Sequence, residues 1–326
     1  MSNASTIQTE EINLVNIWIV TYNHEKFIAQ AIESVLMQKT TFPYKIIIGE
    51  DCSTDNTRAI CIEYQKKHPD KIELLLHKKN LGSQKNSYVV HQACKAKYVA
   101  MLEADDYWTD PLKLQTQVDF MENNPTSAAC FHQVNYFTLD KNSHVFPQEL
   151  AKKTFNIHDA IAFPRTGWNI MTSTILYRKQ AVQEIPDWFL KLKIGDCTLI
   201  MLAALNGSID FTERVMGAYR INAGSLMQSK EYTNEKVAQK MVDLYIEFNK
   251  HTKDKYKNEI YELILYYLYQ LVIYYKKEKK SALHFTTTIK FNFFTLQLKH
   301  SKLEDNKITR IFSDYCSYIF KEVKIR

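Results

Sequence analysis

The chain has 326 residues, 45% of them hydrophobic, enough for a buried core in one large domain or two smaller ones; this excludes a disordered chain. Seven glycines argue against Gly-rich phosphate loops and a many-turned β architecture. The net charge of +6 sits in the tail: residues 230–326 carry 19 of the 42 basic and 12 of the 36 acidic residues, so two regions with different surfaces are expected.

Asn16–Tyr22 (NIWIVTY) reads as a first strand, and Ile28, Ala31, Ile32, Val35 and Leu36 as the apolar face of a helix. Tyr44–Gly49 (YKIIIG) is a continuous apolar run of the kind found in buried parallel strands. A polar loop, Glu50–Thr57, leads into a helix ending near Lys67. A strand at Ile72–Leu76, a helix at Ser83–Lys95 and a strand at Tyr98–Leu102 follow. A helix between successive strands is the βαβ signature of a parallel sheet. Asp110-Pro111 supplies an N-cap and a first-turn proline for a helix that turns Leu114, Val118 and Met121 inward. Further strands are expected at 127–139, 171–177 and 214–220, with an apolar helix over Asp196–Asn206 stopped by Gly207.

Beyond Lys230 the periodicity is helical. Val237, Met241, Leu244 and Phe248 mark one helix; Ile260, Leu263, Ile264, Tyr267, Leu268 and Leu271 mark a second. Ala282, Phe285, Ile289, Phe293 and Leu296 fit a third, although the threonines at 286–288 and the Ile289/Phe291/Phe293 alternation also fit a strand. Ile308, Ile311, Phe312, Tyr315 and Ile319 fit a fourth.

The six cysteines form no C-x-x-C pair and match no zinc spacing, so they read as free thiols of a reducing compartment. The polar, charged stretch Ile7–Glu11 is no signal peptide, and no run of 18 apolar residues predicts a membrane span.

In parallel sheets ligands bind outside the carboxyl ends of the strands. Here those ends carry Thr21-Tyr22-Asn23, Glu50-Asp51 and Glu103-Ala104-Asp105-Asp106. Carboxylates just after a buried strand suit a hard divalent cation that also binds substrate phosphates. A solvated helix-capping turn is the plain alternative. Asp51 can accept hydrogen bonds from a nucleobase or ribose, while Ser53 or Asp55 caps the next helix. Tyr22 can stack on a base or simply pack. His24 and His132 read as surface or satisfied core histidines.

The segments VTYNHEKFIAQAIESVLMQ (20–38), EDCSTDNT (50–57), NLG (80–82), LEADDYWTDPLKLQTQVDFME (102–122) and GDCTLIMLAALNGSIDFTERVMGAYRINAGS (195–225) resemble, in order and spacing, the family 2 glycosyltransferases of the GT-A fold. The resemblance covers roughly residues 14–226. It implies an α/β fold: a Rossmann-like mixed, mainly parallel sheet flanked by helices, followed here by a helical C-terminal region. The expected division is a tail at 1–13, the glycosyltransferase domain at 14–229 and the helical region at 230–326.

The resemblance also implies an inverting transfer of a sugar from a nucleoside-diphosphate sugar to an acceptor hydroxyl, in cell-surface polysaccharide or glycolipid synthesis. Thr21, Tyr22, Asn23, Glu50, Asp51, Asn80, Lys85, Glu103 and Asp105 would bind the donor. Asp105 and Asp106 would hold Mn2+ or Mg2+, and Asp196 would act as general base. For Asp196 an N-cap role is the alternative. The expected donor is a UDP-sugar ahead of a GDP- or dTDP-sugar, and the expected acceptor is a saccharide or a lipid-linked glycan. No nucleic acid is expected.

Two departures from the family pattern stand out. The first acid of the DXD region is Glu103, and Asn222 stands where many relatives have histidine. Trp168 is a candidate for stacking on an acceptor sugar. A sugar-nucleotide-forming nucleotidyltransferase would open with a Gly-rich loop that Val20–Phe27 lacks, a dinucleotide oxidoreductase would carry G-x-G-x-x-G, and a non-catalytic binder would be expected to lose the acids. The run Ile260–Tyr275 followed by Lys276-Lys277-Glu278-Lys279-Lys280 leaves three readings for the tail: a core helix, a homodimer interface or a peripheral membrane contact. The expected location is the cytoplasm or the inner face of the membrane.

Overall fold

The computed structural model describes residues 13–138, 143–144, 153–166, 170–192, 194–221 and 234–299. The expected fourth C-terminal helix, Trp168 and Asn222 lie outside the described residues. Packing divides the chain into two compact units. One comprises residues 1–160, 169–190 and 195–222, the other 161–168, 191–194 and 223–326.

The first unit opens with alternating strands and helices: β1 (Val15–Thr21), α1 (Ile28–Leu36), β2 (Tyr44–Glu50), α2 (Thr57–Lys67), β3 (Ile72–Leu76), α3 (Ser83–Ala93) and β4 (Tyr98–Glu103). Then come β5 (Tyr107–Trp108), α4 (Lys113–Asn123), β6 (Ser127–Thr138), β7 (Ser143–His144), β8 (Thr154–Phe155), α5 (Ile157–Thr166), whose residues from Ile161 on belong to the second unit, β9 (Leu176–Arg178), α6 (Gly195–Ala204) and β10 (Ser208–Ile221). The sheet runs β3-β2-β1-β4-β9-β6-β10-β5, with β7 paired to β6 and β8 to β10. The first four strands are parallel, and β9 inserts antiparallel between β4 and β6.

Both faces of the central strands are buried, which is why β1, β2 and β4 read as unbroken apolar runs. α1 buries Ile28, Ala31, Ile32 and Val35, the face its spacing predicts. α3 packs close on β2 at Gly49, where a Cβ would lie 2.2 Å from Asn86 Oδ1 and 2.4 Å from Val90 Cγ2.

Three local expectations change. The 171–177 strand is a 3-10 turn at Thr172–Thr174 followed by the short β9. The 214–220 strand is the C-terminal half of the 14-residue β10, whose register shifts at Thr212/Val215 and Val215/Gly217 conceal its alternation. α4 begins at Lys113 rather than just after Asp110. The Asp110 carboxylate instead accepts the Leu112 N–H at 2.9 Å and pairs with Arg214 at 2.6 Å. Gly207 follows α6, but a close approach requires it: a Cβ would meet the Thr126 carbonyl oxygen at 2.4 Å.

The second unit contains α7 (Asn234–His251), α8 (Lys257–Lys277) and α9 (Ser281–Lys299). α7 buries Met241, Leu244 and Phe248, and the Tyr245 hydroxyl donates to the Ile161 carbonyl at 2.7 Å. α8 spends its apolar face inside this unit, with Ile260, Leu263, Ile264, Leu268 and Leu271 buried, as expected of a core helix. α9 is a helix, not a strand. Phe291, Phe294 and Leu298 are buried, whereas Phe285, Ile289, Phe293 and Leu296, the series that fits a helix in the sequence, are more than half exposed. Among the described residues no helix is long and apolar enough to cross a membrane.

Candidate active site

Register sets the crevice. Thr21 stands opposite Glu50, and Val20 opposite Glu103, so β1, β2 and β4 end at one level. The loops beyond β1 and β2 are sewn together. Asn23 N–H donates to Ser53 Oγ at 3.0 Å, and Thr54 N–H returns to Asn23 Oδ1 at 2.8 Å. Glu25 N–H donates to Asp55 Oδ2 at 3.1 Å, and Asn56 N–H to Glu25 Oε2 at 3.0 Å. Asn23 and Cys52 both take left-handed backbone, φ 57° and 61°.

Glu50, at the end of β2, and Asp51, just beyond it, hold the surrounding loops. Glu50 is fully buried; its Oε1 accepts the Ser53 N–H at 2.7 Å and its Oε2 pairs with the Arg58 guanidinium. Asp51 is buried too, and it clamps the 80–82 loop by accepting the Leu81 and Gly82 N–H groups at 2.7 and 2.9 Å. Asn80 Oδ1 accepts the Gly82 N–H at 2.9 Å, while the Asn80 and Lys85 side chains are exposed. Tyr22 is exposed at the rim, and Thr21 is buried with its hydroxyl 3.2 Å from His24 Nδ1.

The acidic turn after β4 is braced from two sides. Asp106 is buried; its Oδ2 accepts the Ser173 hydroxyl at 2.6 Å and its Oδ1 accepts the Arg220 N–H at 2.9 Å. Arg220 Nε donates to the Asp105 carbonyl at 2.7 Å. Its guanidinium lies between the Phe27 and Tyr107 rings, 5.0 and 5.1 Å from their centroids. Burial, followed by the neighbouring charge of Asp105, pushes the Asp106 carboxyl up to about 7. Burial and the charges of Asp105, Asp106 and Asp196 push Glu103 up to about 8.

Asp196 therefore lies within electrostatic reach of the turn. It lies in the first turn of α6 with its side chain exposed, and its Oδ1 accepts the Cys197 N–H at 2.8 Å.

Among the described residues no three His, Cys, Asp or Glu side chains converge in a metal-binding group. A protein cage for an ion does not fit. Magnesium-type sites that share the ion with substrate phosphates and waters need only one or two carboxylates. The half-buried Asp105 and Glu103 fit that requirement, whereas Asp106, expected as a ligand, has both oxygens engaged by Ser173 and Arg220.

The family model for glycosyl transferase family 2 matches residues 16–186, more than half of the chain and every element of the crevice up to β9. The chain belongs to that family. An uncharacterized glycosyltransferase of Nostoc sp. is 30% identical over 234 residues, covering 69% of this chain and 70% of that protein. An uncharacterized protein of Mycobacterium tuberculosis is 32% identical over 226 residues; the match covers 67% of this chain and 61% of that mycobacterial relative. Among solved structures, Staphylococcus aureus TarS in complex with UDP-GlcNAc matches with a TM-score of 0.58 at 17% identity, over 85% of this chain and 91% of that one. The mannosyltransferase PcManGT of Pyrobaculum calidifontis, in complex with GDP-Man and Mn2+, matches with a TM-score of 0.52 at 13% identity, over 90% and 88%. The GT-A fold expected from the resemblance is thus the fold this family 2 member adopts.

Three residues of this family 2 crevice escaped the sequence reading. Ser173 receives the Glu103 N–H at 3.1 Å while donating to Asp106, so one hydroxyl ties both ends of the acidic turn. Arg220 anchors the turn through a backbone carbonyl, a contact no residue pattern reveals. His24 is held in the β1 loop, its N–H donating to Thr57 Oγ1 at 2.8 Å and its Nδ1 3.2 Å from the Thr21 hydroxyl, and burial lowers its pKa against the opposing charges of Asp105 and Asp55. His132 is a core histidine, with Nδ1 2.8 Å from the Gln133 carbonyl.

Proposed function

We propose that this chain transfers a sugar from a nucleoside-diphosphate sugar to an acceptor hydroxyl, with inversion, in the synthesis of a cell-surface polysaccharide or glycolipid. The carrying observation is that β1, β2 and β4 end at one level, so the braced acidic turn Glu103–Asp106 stands beside the paired loops of Thr21–Asn23 and Asp51–Asp55. The nucleotide half of the donor would lie on those loops, with Thr21, Tyr22, Asn23 and Asp51 nearest and with Asn80 and Lys85 reaching it from the 80–85 stretch. Glu50 shapes the seat through Ser53 and Arg58.

Asp105, with Glu103 behind it, would hold a magnesium or manganese ion shared with the donor diphosphate. That ion supplies the positive charge that a leaving diphosphate requires. Asp106 keeps Asp105 in place through Ser173 and Arg220. Asp196 takes the proton from the acceptor hydroxyl as the new bond forms. A single displacement needs one base on the acceptor side, which matches inversion.

The complexes of TarS with UDP-GlcNAc and of PcManGT with GDP-Man and Mn2+ support a nucleotide-sugar donor and a divalent ion. We favour a UDP-sugar and a saccharide or lipid-linked acceptor at the cytoplasmic side of the membrane. Residues 14–229 would form the transferase domain and 230–326 the helical region. The test is a titration calorimetry panel of UDP-, GDP- and dTDP-sugars with and without manganese. At least one should bind with metal and be slowly hydrolysed; failure of all to bind ends the reading.

A further inference from the structure

α9 is apolar on both sides. One face is buried through Phe291, Phe294 and Leu298, and the opposite face carries Phe285, Ile289, Phe293 and Leu296, exposed by 66%, 53%, 54% and 57%. On a helix these four lie on a single stripe. The stripe is about 16 Å long and one helix wide, well short of the ~1,200 Å² that a stable interface between copies buries.

The chain itself continues for 27 residues past Lys299, outside the described residues, and holds a second apolar series. Along α9 the gaps from Phe285 to Leu296 are four, four and three residues. From Ile308 to Ile319, through Ile311 and Tyr315, they are three, four and four, with Phe312 widening the same face beside Ile311. The two orders are mirror images. An antiparallel pair of helices therefore sets Leu296 against Ile308, Phe293 against Ile311, Ile289 against Tyr315 and Phe285 against Ile319, with every pair in register. The intervening HSKLEDNK (300–307) is polar, ends in residues suited to start a helix, and has the length of a connection between antiparallel neighbours.

We propose that residues 308–319 form a helix that folds back and covers the exposed stripe of α9. A tethered segment needs far less contact area than a free partner, because its effective concentration is set by a short linker. The covered face completes the second unit, which otherwise presents four large apolar side chains to water.

The full-length protein tests this by hydrogen exchange. The amides of 308–319 should exchange about tenfold or more slowly than an unstructured chain, and Ile289→Asp, on the exposed face, should return them to the free rate while α8 stays protected. In a second variant, Ile289→Cys with Tyr315→Cys and Cys316→Ser, mild oxidation should yield a disulfide within one chain, mapped by mass spectrometry. Free exchange of 308–319 together with no such disulfide overturns the proposal. So does a dimer in light scattering that Ile289→Asp dissolves, which assigns the stripe to a second copy. Co-sedimentation with phosphatidylglycerol vesicles that Ile289→Asp abolishes assigns it to a lipid surface and equally overturns the proposal.

Discussion

The Ser173 hydroxyl donates a 2.6 Å hydrogen bond to Asp106 Oδ2, joining the 3-10 turn before β9 to the acidic turn after β4. Asp106 is buried, so the loss of a donor leaves a carboxylate short of a partner in a crowded anionic site. Ser173→Ala should cost about 1–3 kcal/mol in urea unfolding. Because the same hydroxyl accepts the Glu103 N–H, the variant should also weaken manganese-dependent donor binding more than metal-free binding. Equal weakening of both would detach Ser173 from the ion.

Asp196→Asn should separate binding from chemistry. The amide oxygen can still accept the Cys197 N–H, so α6 keeps its first turn. Donor affinity should stay within about twofold, while single-turnover transfer falls by about 10²–10⁴. A parallel loss of both would mark Asp196 as structural.

Lys113 offers a pH-dependent test. It is completely buried, its ammonium lies 3.7 Å from the centroid of the Trp108 ring, and it has no hydrogen-bond partner among the described residues. Burial pulls its pKa down to about 7 from an ordinary value of 10.5. Between those values the unfolded chain holds more protons than the folded one, so stability should rise as pH climbs through that window. Lys113→Met should remove the slope and, near pH 7, leave stability unchanged or raise it by about 1 kcal/mol. Unfolding midpoints at pH 6.5, 8 and 9.5 decide it; a persisting slope assigns the effect to another group.

Arg58 pairs with the fully buried Glu50, and its guanidinium also donates to the His77 carbonyl at 2.6 Å. Arg58→Met should destabilise by about 3 kcal/mol, since it strands a buried charge. Adding Glu50→Gln should recover most of that loss. Additive costs in the double variant would mean the pair is not coupled.

The parallel half of the sheet was legible in the sequence because its strands are buried on both faces and its helices are amphipathic. The polar strand ends were legible for the same reason: Thr21, Glu50 and Glu103 each break an apolar run. What the sequence concealed are contacts made through the backbone. Asp51 spends its oxygens on Leu81 and Gly82 N–H groups, and Arg220 reaches the Asp105 carbonyl; neither leaves a side-chain signature. α9 was read only in part, for another reason. With Phe285, Ile289, Phe293 and Leu296 on one side and Phe291, Phe294 and Leu298 on the other, periodicity identifies a helix without saying which face goes inside.

The stitching between Asn23–Glu25 and Ser53–Asn56 has a thermodynamic consequence. Loops that already hold one another through reciprocal bonds have little freedom left to surrender, so a ligand settling on them meets a seat whose ordering cost was met during folding. Occupancy of that seat should leave the exchange rates of these amides nearly unchanged, and a substitution such as Asn23→Ala would act by loosening the empty protein rather than by removing a contact to the guest.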